Sequence, residues 1–123
     1  LLGEELADSA RTVLVLTHDD EWAAYAMLRG GDSPPEVAGA RPVEIERFYV
    51  AHAWHGRGLA APLMAATLDA ARGKGHDAAW LAVWERNPRA VRFYEKQGFR
   101  VVGRHVYVFD GTPEDDHLMA ITL

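Results

Sequence analysis

Asn87-Pro88-Arg89-Ala90-Val91-Arg92-Phe93-Tyr94-Glu95-Lys96-Gln97-Gly98-Phe99 carries a complete set of helix signals. Asn87 is an N-cap residue, and Pro88 occupies the first helical position, where a missing N–H costs nothing. Gly98 is the left-handed residue that closes a helix, and Phe99 is the apolar contact beyond it. The segment reads as a short helix ending near Gln97, with Ala90 and Tyr94 one turn apart on one face. Taken alone, Phe93 and Tyr94 serve equally well as core aromatics.

Upstream, Ala78 to Trp84 is a nearly continuous apolar run, the pattern of a strand buried on both faces, with Trp80 and Trp84 in the core. Leu59 to Arg72 is an Ala/Leu/Met-rich helix with Pro62 in its first turn and Gly73-Lys74-Gly75 as its stop. This helix begins at His55-Gly56-Arg57-Gly58-Leu59-Ala60. Glycines let backbone approach a ligand closely, and the free N–H groups and dipole of a helix start favour an anion such as a pyrophosphate. Arg57 adds charge; a plain turn is the other reading. Two ligand classes fit. Gly56-x-Gly58-x-x-Ala61 with Glu85 about twenty residues on matches a dinucleotide fingerprint, but only one strand–helix–strand unit is readable where such folds need two halves. Coenzyme A is the second class.

Val43 to Val50 alternates as a strand, which predicts Glu44, Glu46, Phe48 and Val50 on one face and Ile45, Arg47 and Tyr49 on the other. Thr12 to Thr17 and Trp22 to Leu28 read as a hairpin about Asp19-Asp20, and Arg29 to Pro42 as a Gly/Pro-rich loop. Leu1 to Ala10 has the apolar spacing of the end of an amphipathic helix. Val101 to Phe109, a turn at Asp110-Gly111, an acidic loop through Glu114-Asp115-Asp116, and Leu118 to Leu123 make a last hairpin. The order is that of an α/β sandwich with a mixed sheet.

The chain has 123 residues, the size of one domain. It holds no cysteine, which excludes disulfides, thiolate metal sites and cysteine nucleophiles. A net charge of −5 argues against nucleic acid and suits a soluble cytoplasmic protein with a bias toward cationic partners. No apolar run approaches the ~18 residues of a membrane helix. His52 and His55 lie three apart without further ligands at metal spacing, so no metal is expected. His18, His76, His105 and His117 read as polar surface residues.

Together, the Asn87 to Phe99 helix and His55-x-x-Gly58-x-Ala60 resemble the GNAT superfamily of N-acetyltransferases. That family has Gln/Arg-x-x-Gly-x-Gly/Ala in the first motif, so His55 stands where Gln or Arg is usual. Glu44 to Val50, Trp80 to Asn87 and Asp115 to Met119 look like the bacterial spermidine/spermine acetyltransferase branch. The resemblance implies a single domain over residues 1–123, with a mixed, mostly antiparallel sheet flanked by helices. The family's N-terminal strand and helices, which form much of the acceptor pocket, are apparently missing; the chain starts Leu-Leu-Gly, as a longer product's fragment would. It implies acetyl-CoA as cosubstrate and a primary amine, such as a polyamine, as acceptor, with no nucleic acid or membrane partner. The last hairpin offers an edge for a homodimer.

The same resemblance distributes the roles. Glu44 or Glu46 is the general base, Glu44 matching the family's strand glutamate better, and Tyr94 is the acid that protonates the leaving thiolate. Backbone at Phe48, Tyr49 and Val50 faces the thioester and pantetheine. His55, Gly56, Arg57, Gly58, Leu59 and Ala60 hold the pyrophosphate; Asn87, Ala90, Phe93 and Lys96 complete the cofactor set. A base is needed because an alkylamine of pKa ~10.4 is neutral in only about one molecule in a thousand near neutral pH. Base catalysis contributes about 10²–10⁴ in rate. The rival readings are a non-catalytic acetyl-CoA sensor and a small NAD-binding oxidoreductase.

Overall fold

The computed structural model describes residues 2–7 and 11–123. Seven strands form one sheet in the order β1-β2-β3-β4-β5-β7-β6. They are β1 Leu2–Ala7, β2 Arg11–His18, β3 Glu21–Arg29, β4 Pro42–Val50, β5 Ala78–Trp84, β6 Arg100–Phe109 and β7 Thr112–Thr122. Helix α1, Ala60–Gly73, connects β4 to β5, and α2, Pro88–Lys96, connects β5 to β6. A 3-10 turn, His52–Trp54, precedes α1. Only β4 and β5 pair in parallel; every other neighbouring pair is antiparallel. The mixed, mostly antiparallel GNAT-like sheet is the one expected.

The two faces of the sheet are covered differently. On one, Val43 and Ile45 of β4, Ala79, Leu81 and Val83 of β5 and Met119 of β7 pack with Met64, Leu68 and Ala71 of α1, and Ala90, Val91, Phe93 and Tyr94 of α2 close over them. On the other, Val37 from the loop before β4 packs on Trp80, Leu118 and Ala120. That loop is pinned by the Asp77 carboxylate, which accepts from Ala40 N–H at 2.8 Å and Arg41 N–H at 2.9 Å. Beyond Val37 this second face exposes Trp22, Tyr49, Trp84 and Tyr107.

Both helices stop as their sequences dictate. In α2, Ala90 N–H donates to Asn87 Oδ1 at 3.2 Å. At its other end Gly98 takes φ 102°, Phe99 N–H donates to Tyr94 O and Gly98 N–H to Glu95 O, both at 3.0 Å. These are the two bonds of a Schellman closure. Phe99 is then buried in the core, its ring 5.9 Å from that of Tyr94. The closure thus fixes the height at which Tyr94 leaves the helix.

Three expectations fail here. Residues 2–7 are strand β1 and not helix; residues 1 and 8–10 of that expectation lie outside the described residues. Leu, Glu and Ala are good helix formers, but propensity amounts to only tenths of a kcal/mol per residue, and six ladder positions along the edge of β2 override it. Glu114-Asp115-Asp116 is not a loop but part of β7. The two-residue turn at Asp110-Gly111, with φ 48° and 76°, sets the hairpin register and draws the acids into the ladder. Trp84 is 46% exposed and lies outside the core that holds Trp80.

The fourth correction concerns β4. Met27 pairs with Arg47 but Leu28 pairs with Ile45, so Glu46 is an extra residue in the ladder, a β-bulge. The bulge shifts the alternation by one. Val43, Ile45, Phe48 and Val50 all turn toward the helices. Glu44 therefore does not share a face with Phe48 and Val50; it is ion-paired with Arg29, beside Glu46, on the opposite side.

The closure of α2 yields the first test. A Cβ at Gly98 would meet Ile121 Cδ1 at 3.0 Å in a backbone conformation that side chains disfavour. Gly98→Ala is expected to destabilise the fold by on the order of 1–2 kcal/mol, read as a lowered urea midpoint with an unchanged slope.

Candidate active site

A cavity of about 380 Å³ lies where β4, the glycine turn and α2 meet. Phe48 and Val50 come from β4, His55, Gly56, Gly58, Leu59 and Ala60 from the turn and start of α1, and Asn87, Ala90, Phe93 and Tyr94 from α2. Eleven of the fourteen residues expected to hold the cofactor thus line one cavity. Trp54 and Arg89 join them. Their signals were positional: Trp54 adjoins the glycine turn, and Arg89 follows the Asn-Pro cap.

Three expected residues do not line the cavity. Tyr49 turns to the opposite face of β4, its ring 5.9 Å from Trp22 and Tyr25. Arg57 folds back over the Trp54 ring at 5.2 Å. Lys96 lies exposed on the last turn of α2.

The turn has the geometry of an anion cradle. Gly56 and Gly58 take φ 76° and 72°, and no atom lies within 4 Å of a Cβ placed on either. Glycine is required there by conformation, and the space it leaves opens toward the ligand side. The first-turn N–H groups of α1 have no intrahelical acceptors and no side-chain cap. His55 Nε2–H donates to Val50 O at 2.8 Å, tying the turn to the end of β4. Its ring, not only its backbone, does structural work at this position.

Between β4 and β5 the sheet opens. The ladder has three positions, Pro42 with Ala78, Val43 with Ala79 and Glu44 with Trp80, and no later pair forms among the described residues. Past this apex the β5-facing backbone groups of β4 lack a ladder partner. Glu44 stands at the apex.

The two glutamates differ in electrostatics. Burial, then the charge of Glu46, push the Glu44 carboxyl above the usual range; Arg29 and Arg11 offset this only in part. Glu46 accepts from Arg11 Nε–H at 2.9 Å, and that bond holds its carboxyl below the usual range. Glu44 is the one with basicity to spare. Burial raises the Tyr94 phenol, so it carries its proton at neutral pH. Phe48, Phe93 and Phe99 surround its ring at centroid distances from 5.4 to 6.2 Å.

A helix start with free N–H groups, an open strand pair and a half-buried phenol on the facing helix are suited to a long phosphorylated carrier. Comparison with known proteins agrees. Residues 2–99 match the model of the acetyltransferase (GNAT) family. An uncharacterised N-acetyltransferase of Mycobacterium tuberculosis is 37% identical over 117 residues, covering 95% of this chain and 70% of that protein. Among solved structures, Arabidopsis thaliana NAA60 in complex with acetyl-CoA has a TM-score of 0.77 at 18% identity, covering 94% of this chain and 78% of that one. A spermidine N-acetyltransferase SpeG chimera from Vibrio cholerae and hSSAT has a TM-score of 0.77 at 24% identity, covering 94% and 71%. The chain belongs to the GNAT acetyltransferase family.

The glutamates make a prediction of opposite signs. Raised in the fold, Glu44 costs stability once ionised; the cost is present above its folded pKa and absent below about pH 4, where it is protonated in both states. Glu44→Gln should therefore raise the melting temperature at neutral pH and lose that gain in acid. Glu46, depressed in the fold, stabilises above the ordinary carboxylate range, and this is lost as pH falls through its folded pKa. Glu46→Gln should lower the neutral melting temperature by at most about 1 kcal/mol equivalent, since the Arg11 pair is partly exposed. Thermal melts of both variants at neutral and acid pH check the signs.

Proposed function

We propose that this protein transfers an acetyl group from acetyl-CoA directly to the primary amine of a cationic acceptor, a polyamine-type amine being the class its charges suit. The observation that carries the reading is the ladder opening beyond Glu44. Glu44, a carboxylate of raised pKa, stands where the ladder ends, and the unpaired strand beyond it runs to Phe48 and Val50 in the wall of the Tyr94 cavity, which supports the reading.

The residues present fit acetyl-CoA. Gly56, Gly58 and the start of α1 offer N–H groups and open space for a pyrophosphate, with Arg89 on the cavity wall. Asn87 uses its carbonyl oxygen to cap α2, which leaves its amide NH₂ as a donor toward the pantetheine arm. When bound, the cosubstrate supplies an acetyl thioester. Glu44 accepts a proton from the acceptor ammonium, directly or through water, so that the neutral amine attacks the carbonyl carbon. Backbone N–H in the Phe48 to Val50 segment of β4 stabilises the developing oxyanion. Tyr94 gives its proton to the departing sulfur as the C–S bond breaks, and the second proton lost by the attacking nitrogen returns to the phenolate, directly or through water, leaving the neutral amide. The chain has no cysteine, so transfer proceeds without an acyl-cysteine intermediate.

The polyamine assignment rests on the acids of the open face. The likeness to a spermidine enzyme is a likeness of fold. Among the described residues no helix is long and apolar enough to cross a membrane.

Tyr94→Phe keeps the ring and removes only the acidic proton. It is expected to lower kcat by about a hundredfold while the acetyl-CoA-induced rise in melting temperature is retained. An unchanged kcat removes Tyr94 as the acid. Strong binding of acetyl-CoA with no amine turned over would turn the reading into that of a sensor.

A further inference from the structure

On the open face of the sheet, Asp116 is out of keeping with its surroundings. It lies on inner strand β7, with Trp84 of β5 on one side and His105 of β6 on the other. It is only 9% exposed, and its Oδ1 is covered and has no hydrogen-bond partner. Burying a carboxylate oxygen without a partner is unfavourable unless a charge or donor arrives to meet it.

The nearby cations are engaged elsewhere. Arg104 pairs with Glu85 at 3.2 Å and with Asp115 at 3.5 Å. His105, opposite Asp116 in the ladder, lies 3.7 Å from Glu36. Burial, then a hydrogen bond shared with the Glu114 carboxyl and the charges of Glu114 and Asp115, push the Asp116 carboxyl up to about 6, and His117 tempers this. At neutral pH the group is mostly a carboxylate, so a covered oxygen carries negative charge without a donor to meet it.

The surroundings suit an organic cation. Trp84 and Tyr107, 46% and 38% exposed, stand on the same face. Trp84 and Glu114 also line a recess of about 340 Å³, in which Glu85, Glu114 and Asp115 outnumber Arg86. Burial first, and then the charges of Asp116 and Glu44, raise the Tyr107 phenol, so that ring lies within electrostatic range of the two carboxylates. From the register, Glu44 and Asp116 are two strands and four residues apart, about 17 Å between Cα atoms before the side chains lean inward.

We propose that Asp116, flanked by Tyr107 and Trp84, binds a second positive charge of the acceptor, so that the acceptor is a diamine or longer polyamine with its reacting end at Glu44 and its distal ammonium at Asp116. This rests on the acetyltransferase reading above and assigns its acceptor site. The aromatic rings take the methylene chain and the ammonium by cation–π contact, and Asp116 supplies the counter-charge.

The test measures kcat/KM for spermidine and for n-butylamine, and calorimetric binding of spermidine, in the wild-type chain, Asp116→Asn and Tyr107→Leu. The expected result is a spermidine preference in the wild type of at least about tenfold that Asp116→Asn lowers by about tenfold, chiefly through KM, and Tyr107→Leu lowers in the same direction. Asn relieves an uncompensated buried charge, so this variant should fold; Tyr107 is exposed, so its replacement gives a second reading that does not depend on Asp116. An equal preference in all three proteins overturns the subsite and leaves the transferase standing. Spermidine binding weakened by Asp116→Asn, with no amine acetylated, supports the subsite and overturns the transferase. Spermidine binding unaffected by either substitution overturns the subsite whatever the turnover.

Discussion

Parallel neighbours β4 and β5 share only three ladder positions before they part. A strand pair that separates inside a sheet leaves N–H and C=O groups without partners, a cost that a fold tolerates where something else meets them. The crossover through α1 makes this separation useful. It starts at the end of β4, so the open end of the strand pair and the positive end of the helix adjoin. Crevices at the carboxyl ends of parallel strands are where α/β sheets bind ligands. This one is narrowed by α2, whose capped start and Schellman closure hold Asn87 and Tyr94 at opposite ends of a single short helix.

Strand β4 carries a second constraint in its bulge. One extra residue at Glu46 lets the strand send Val43, Ile45, Phe48 and Val50 to the helices while Glu44 and Glu46 face away. The two acids then part company. Glu46 is neutralised by Arg11, an arginine from β2, and becomes a tether between strands. Glu44 keeps a weaker, longer pairing with Arg29 at 3.8 Å and stays basic. Two similar side chains, two residues apart, acquire different properties because burial raises Glu44 while Arg11, reaching across from β2, meets only Glu46 at hydrogen-bond distance.

The helices, β5 and the glycine turn were legible in the chain because their signals are local. Asn87, Pro88, Gly98 and Phe99 act within one helix, and Gly56 and Gly58 declare a backbone conformation. Most of the cavity lining follows from those signals. What was not legible depends on pairing between distant segments. Leu2–Ala7 leans locally toward helix and takes strand conformation only from its pairing with β2. The bulge at Glu46 is visible only against β3, since nothing in Glu44-Ile45-Glu46-Arg47 marks the extra residue. Asp116 reads as one of three solvated acids until the hairpin register places it between Trp84 and His105. Arg57 and Lys96 have the charge for a phosphate, yet a stacking partner takes one and helix geometry carries the other away.

The sheet also acts as a partition. The residues that line the cavity face the helices, while exposed aromatic and acidic side chains face the other way. Substitutions at Trp22, Tyr25, Tyr49, Trp84 or Tyr107 leave the helix-side packing and the glycine turn untouched. A lineage with this architecture is free to drift in the amines it accepts, one surface residue at a time, while its dependence on one common acyl carrier stays under separate and stricter selection.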